Sequence, residues 1–97
     1  MDNILWSIDA IEDFDKNIEY LERRFSEREV LNFTSKTLDI LNIISSKPKT
    51  FKSIKYKNIH AVPIVPQITL YYRIKNHNKI ELIRFWNNYK NPTSLEL

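Results

Sequence analysis

Arg73 and Arg84 stand in two neighbouring runs of alternating apolar residues, Ile68 to Lys75 and Ile80 to Phe85. Trp86-Asn87-Asn88-Tyr89-Lys90-Asn91-Pro92 follows the second run directly. Arginine grips carboxylates and phosphates bidentately, and tryptophan and tyrosine are frequent interface anchors. With Lys52, Lys55 and Lys57 upstream, these residues could hold a phosphodiester backbone or an acidic protein segment. The competing reading of the two arginines is plain surface pairing with Glu81, which is common and weak. Cleaving RNA would require more: a deprotonated 2′-OH, in-line geometry and positive charge on the phosphate. Arg73, Arg84, Tyr89 and Lys90 are the candidates for that chemistry, and a lysine would serve as base only with a strongly lowered pKa. No His/Glu pair is placed to share the work. His60 falls in mid-strand and His77 at a turn tip, and both read as surface residues. The pattern therefore favours binding over cleavage, with Arg73, Arg84, Trp86, Tyr89, Lys90, Lys55 and Lys57 as the partner-binding set.

Charge supports a binding role. Residues 1–46 hold five Lys/Arg and ten Asp/Glu, a net −5, whereas residues 47–97 hold ten Lys/Arg and only Glu81 and Glu96, a net +8. A polarised chain of this kind steers charged partners without specifying them. The absence of glycine excludes glycine-rich phosphate loops and leaves asparagine to fill left-handed turn positions, a use that fits Asn76, Asn78, Asn87, Asn88 and Asn91. The absence of cysteine excludes disulfides, a thiolate nucleophile and thiolate metal ligation. Two histidines alone do not make a metal site, so no cofactor or metal is expected. No apolar run approaches the ~20 residues of a membrane span. The start, MDNILWSID, lacks a positively charged leader, so a cytoplasmic protein is expected.

Positioning the cations falls to a small set of elements. Ninety-seven residues suit one domain spanning 1–97. Ile4-Leu5-Trp6 reads as a first strand. Ser7 or Asp9 can cap a helix, and Asp9 with Glu12 has capping-box spacing. Ile11, Phe14, Ile18, Leu21 and Phe25 form that helix's apolar stripe, with Asp13, Asp15, Glu19 and Glu22 mostly on the other side. Ser26 with Glu29 repeats the capping pattern and starts a second helix, whose stripe is Val30, Phe33, Thr37, Leu38, Leu41 and Ile44. Pro48 stops it. Strands follow at Phe51 to Lys57, Ile59 to Val65, Ile68 to Lys75 and Ile80 to Phe85. Pro63 predicts an edge-side position or a bulge, and Tyr72 should pack with Leu70 and Ile74 against the helices. The expected fold class is α+β and two-layered: an N-terminal strand, an antiparallel helical hairpin, then three to four antiparallel strands with both helices on one face.

This order, with its local signatures, resembles the RelE/ParE superfamily of type II toxin–antitoxin toxins. The matching pieces are Ile4, Trp6, Ser7 and Ala10 in an I-x-W-S-x-x-A start, the acidic turn Glu12-Asp13-Phe14, and Tyr20 in the first helix. Pro48 after the second helix, Leu70 to Ile74 (LYYRI), Ile80 to Arg84 (IELIR) and the polar tail ending Asn91-Pro92 complete them. The resemblance covers nearly the whole chain, and the tail is more similar to ParE-like and plasmid-stabilisation-type members. It implies a growth-inhibiting toxin held in a hetero-oligomer by a cognate antitoxin, whose acidic, disordered segment would fold across the basic sheet. ParE-like members are described as inhibiting DNA gyrase, and RelE-like members as cutting mRNA in the ribosome. The chain departs from many nuclease members by carrying Gln67-Ile68 where they have an arginine, and Asn87-Asn88-Tyr89-Lys90 where they have arginine or histidine. Three readings follow: a ParE-like inhibitor of a macromolecular target such as gyrase, a ribosome-dependent mRNA endonuclease, and a non-toxic nucleic-acid-binding module.

Overall fold

A computed structural model describes residues 2–54 and 58–97. In chain order the elements are β1 (Ile4–Trp6), α1 (Ile8–Arg24), α2 (Glu27–Ser46), β2 (Ser53–Ile54), β3 (Ile59–Val65), β4 (Ile68–Ile74) and β5 (Ile80–Asn87). They form one five-stranded sheet in the order β1-β5-β4-β3-β2. β2 to β5 pair antiparallel, and β1 returns to lie parallel to β5. The α+β fold with a helical hairpin is thus the observed one. The expected strand from Phe51 to Lys57 is described only at Ser53–Ile54, and Lys55 and Lys57 lie outside the described residues.

Caps set the helix boundaries. Ser7, in extended geometry, accepts from the Ala10 N–H at 3.0 Å, so it starts α1 and Asp9 lies in the first turn. Ser26 opens α2 in a capping box, in which Glu29 accepts from the Ser26 N–H at 3.1 Å and from the Ser26 hydroxyl. These bonds hold the Glu29 pKa below its ordinary value. No helix among the described residues is long and apolar enough to cross a membrane.

The core lies between the helices and one face of the sheet. Ile68, Leu70 and Tyr72 of β4 are fully buried, Leu82 and Phe85 of β5 join them, and Leu21, Phe33 and Ile44 come from the helices. Phe85 is the aromatic hub. It stacks on Trp6 at 5.3 Å and meets Phe14 and Phe33 edge-on at 5.4 and 6.2 Å. Tyr72 stacks on His60 at 5.2 Å and donates its hydroxyl to the Pro48 carbonyl at 2.7 Å.

Several expected positions differ. The buried stripe of α1 is Ala10, Asp13, Asn17 and Leu21, while Ile11 and Phe25 are exposed. Leu38 of α2 is exposed as well. His60 is buried, with its ring Nδ1 at 2.9 Å from the Phe51 carbonyl, and is not a surface residue. Left-handed backbone occurs at Asn58, His77 and Asn78, not across the whole asparagine set. Pro63 lies beyond the part of β3 that β2 covers, and a register shift between Pro63 and Val65 marks the bulge.

Candidate functional site

The candidate cations are positioned by β5, and β5 is positioned by α1. β1 pairs with β5 only from Ile80 to Leu82, so among the described residues no strand lies beside the β5 edge beyond Leu82. Polar residues of the α1 segment occupy that edge. Ser7 donates its hydroxyl to the Ile83 carbonyl at 3.0 Å, Asp13 accepts from the Phe85 N–H at 3.1 Å, and Asn17 donates to the Phe85 carbonyl at 2.8 Å. Buried backbone groups must be satisfied, and Asp13 and Asn17, one turn apart, take the part of a missing strand.

A bulge in β5 turns Arg84 outward. Tyr72 faces Leu82 but Tyr71 faces Arg84, so Ile83 is the extra residue. Strict alternation from Ile80 and Leu82 would place Arg84 toward the core. With the bulge, Phe85 takes the core position opposite Leu70, and Arg84 and Trp86 share the other face. The Arg84 guanidinium then reaches around the edge to Asp13, with Nε–Oδ2 at 2.6 Å and NH2–Oδ1 at 2.9 Å. This bidentate pair raises the already high Arg84 pKa, against the opposing effect of partial burial, and Asp9 and Glu96 add to the rise. Near the end of the chain, Leu95 and Leu97 are half-buried.

The sequence-predicted residues divide into separate places. Arg84 lies 5.4 Å and Lys90 5.9 Å from the centre of the Trp86 ring, so these three form one basic-aromatic cluster. Trp86 itself is buried. Tyr89 is 66% exposed and sits 6.4 Å from Tyr20 of α1, at the rim of that cluster. Arg73 does not join them. It lies opposite Glu81 and is bonded to it at 3.1 Å, and Lys75 approaches the same oxygen at 3.8 Å. Both arginines therefore face internal carboxylates. Lys52 is exposed, and Lys55 and Lys57 lie outside the described residues.

The asparagines of the tail build the platform. Asn88 donates to the Pro66 carbonyl at 3.0 Å, accepts from the Thr69 hydroxyl at 3.0 Å, and its N–H donates to the Gln67 carbonyl at 2.8 Å. Asn87, buried, accepts from the Tyr89 N–H at 2.9 Å. They tie the end of β5 to the β3–β4 turn and fix where Tyr89 and Lys90 project. Asp13 and Asn17 were the residues that sequence reasoning missed. Their signal was present: both fall at helical spacing between Ala10 and Leu21, where a polar residue must have a buried partner.

Solved structures of other chains share this fold. A chain of the chromosomal ParDE TA system from P. aeruginosa matches 87% of this chain with 92% of its own at a TM-score of 0.69 and 10% identity. A YoeB/ParE toxin from Agrobacterium tumefaciens matches 89% with 98% of its own at a TM-score of 0.65 and 15% identity. No protein-family model matches the sequence, and no curated protein matches it.

Proposed function

We propose that this chain is the toxin of a type II toxin–antitoxin module. A cognate antitoxin neutralises it in a hetero-oligomer, and it arrests growth by binding a macromolecular target, DNA gyrase being the first candidate. The observation that carries this reading is the near end-to-end agreement of the fold with chains of the ParDE system and a YoeB/ParE toxin. The Arg84–Trp86–Lys90 cluster, with exposed Tyr89 beside it, is the partner-binding surface. Exposed Tyr89 and the Lys90 ammonium, seated over buried Trp86 and the Asp13-paired Arg84, suit an acidic segment that carries apolar anchors. Arg73, paired with Glu81, stands apart from this cluster, and Lys55 and Lys57 lie outside the described residues.

Binding is favoured over cleavage by the state of the proton carriers. His60 is buried under Tyr72, and Glu81 is shared between Arg73 and Lys75. The endonuclease reading rests on Tyr89 and Lys90, an exposed hydroxyl and amine side by side at the end of β5. The third reading, a nucleic-acid module without toxicity, predicts normal growth on expression.

Induced expression of the chain alone should arrest growth, and co-expression of the product of an adjacent small gene should relieve it. Unimpaired growth at full expression would refute the toxin reading. The purified chain should block gyrase supercoiling and leave mRNA intact on translating ribosomes. Cleavage of that mRNA would install the endonuclease reading instead. Tyr89→Ala combined with Lys90→Glu should weaken antitoxin binding about tenfold or more, and unchanged affinity would remove this cluster from the interface.

A further inference from the structure

We propose a second binding site at the end of the molecule where α2 stops and β4 turns into β5, one that takes the phosphodiester backbone of a nucleic-acid strand. A groove of about 490 Å³ opens there, lined by Ser46, Lys47, Pro48, Lys49, Thr50, Ile74 and Asn78. A smaller hollow of about 230 Å³ shares Lys49 and Ile74 with it and continues to Asn58 and His60. Together they make a track rather than an isolated cup. Lys75 and Lys79 flank it in the β4–β5 turn.

The charges here lack internal partners. Lys75 shares Glu81 with Arg73, but Lys47, Lys49 and Lys79 have no carboxylate within ion-pair distance among the described residues. Asp2, exposed next to Asn3 at the same end, pairs with none of them. Lys47 and Lys49 do complement the carbonyl end of α2. Lys75 and Lys79 adjoin the lining residues Ile74 and Asn78 in the chain, so positive charge at this end is not confined to the helix terminus.

The track is also held in shape without a ligand. The Asn3 side-chain amide donates to the Ser45 carbonyl at 2.9 Å and to the Asn78 carbonyl at 3.0 Å. The Ser45 hydroxyl donates back to Asn3 Oδ1 at 2.6 Å. One side chain thereby clamps β1, the end of α2 and the β4–β5 turn, and with them the spacing of the lysines. Ammonium groups act as point charges that neutralise phosphates without a fork geometry. An acidic peptide would need apolar pockets to order it, and among the described residues only Ile74 and Pro48 line the track with apolar side chains. This site lies at the other end of β5 from Lys90, about 27 Å away at ~3.4 Å per strand residue. It stands whether or not the chain is a toxin.

Fluorescence anisotropy with a labelled single-stranded oligonucleotide, read across a salt series, tests it. The native chain should bind, and Lys47→Gln with Lys49→Gln should weaken binding about tenfold or more. The slope of log K against log salt should become shallower by about 1.4, or ~0.7 for each phosphate that is no longer neutralised. Both lysines are exposed, so the fold is retained. Lys90→Gln should leave affinity and slope unchanged. Pyrophosphate should compete only weakly. Undiminished binding by the double variant, an equal loss in Lys90→Gln, or full displacement by stoichiometric pyrophosphate would each overturn the proposal.

Discussion

Asp13 does two jobs with one carboxylate. It holds Arg84 bidentately, and it accepts the Phe85 N–H at the uncovered strand edge. Its side chain is 11% exposed and that of Arg84 19%, so the pair is weakly screened. Asp13→Ala should destabilise the fold by about 2–3 kcal/mol, read by urea unfolding. The Phe85 amide should also lose hydrogen-exchange protection. A change under about half a kcal/mol would mean that water replaces Asp13 freely. Tyr72 makes a prediction in alkali. Burial pushes its hydroxyl up to about 12, offset in part by a backbone hydrogen bond at Phe51. The folded state therefore keeps the proton that the unfolded chain releases near pH 10. This contribution is complete below about pH 10 and is lost as pH rises toward 12, about 3 kcal/mol in all. Tyr72→Phe should lose about 1 kcal/mol at pH 7 with the Pro48 bond, yet should not show the added decline between about pH 10 and 12.

Elements here are joined by side chains where the backbone ladder ends. β1 covers less than half of β5, and α1 finishes the edge with Ser7, Asp13 and Asn17. Asn3 performs the same service at the opposite end, across sequence separations of 42 and 75 residues. Asn3→Ala should cost about 1–2 kcal/mol in urea unfolding. It should also loosen the β4–β5 turn, so that amide exchange quickens at Lys79 and Ile80 while Leu70 at the sheet centre keeps its protection. Equal acceleration at all three would show a global effect and remove the clamp from the account. The β5 bulge belongs at this scale too: one extra residue, Ile83, decides that Phe85 packs inward and Arg84 turns toward the edge.

At the scale of the molecule, two separate groups of cations among the described residues stand at the two ends of β5. Lys90 with Trp86 and Arg84 stands at the end of β5, and the lysines of the α2 terminus and the β4–β5 turn stand at its start. Sites this far apart with no shared partner should act independently. Lys90→Glu combined with Lys47→Gln and Lys49→Gln should therefore lose antitoxin affinity as Lys90→Glu does alone, and oligonucleotide affinity as the lysine pair does alone. Coupling beyond about 0.5 kcal/mol in either binding assay would mean one continuous surface.

While the choice of Ser7 over Asp9 as the first cap came with the fold, residue order alone carried the main elements and their succession, the Ser26 cap, the face of β4 that enters the core, and the excess of positive charge in the second half. These are local matters, set by period, caps and prolines, and they suffice to place the chain in the α+β class. Which cations remain available was decided only by the tertiary structure. Arg84 and Asp13 are 71 residues apart in the chain and meet because a bulge and a bare strand edge bring them together. Arg73 meets Glu81 through cross-strand register. The end of α2, with Lys47 and Lys49, meets the β4–β5 turn through a single asparagine near the N-terminus. Pairing across such separations depends on register and edge geometry, and neither leaves a periodic mark in the sequence.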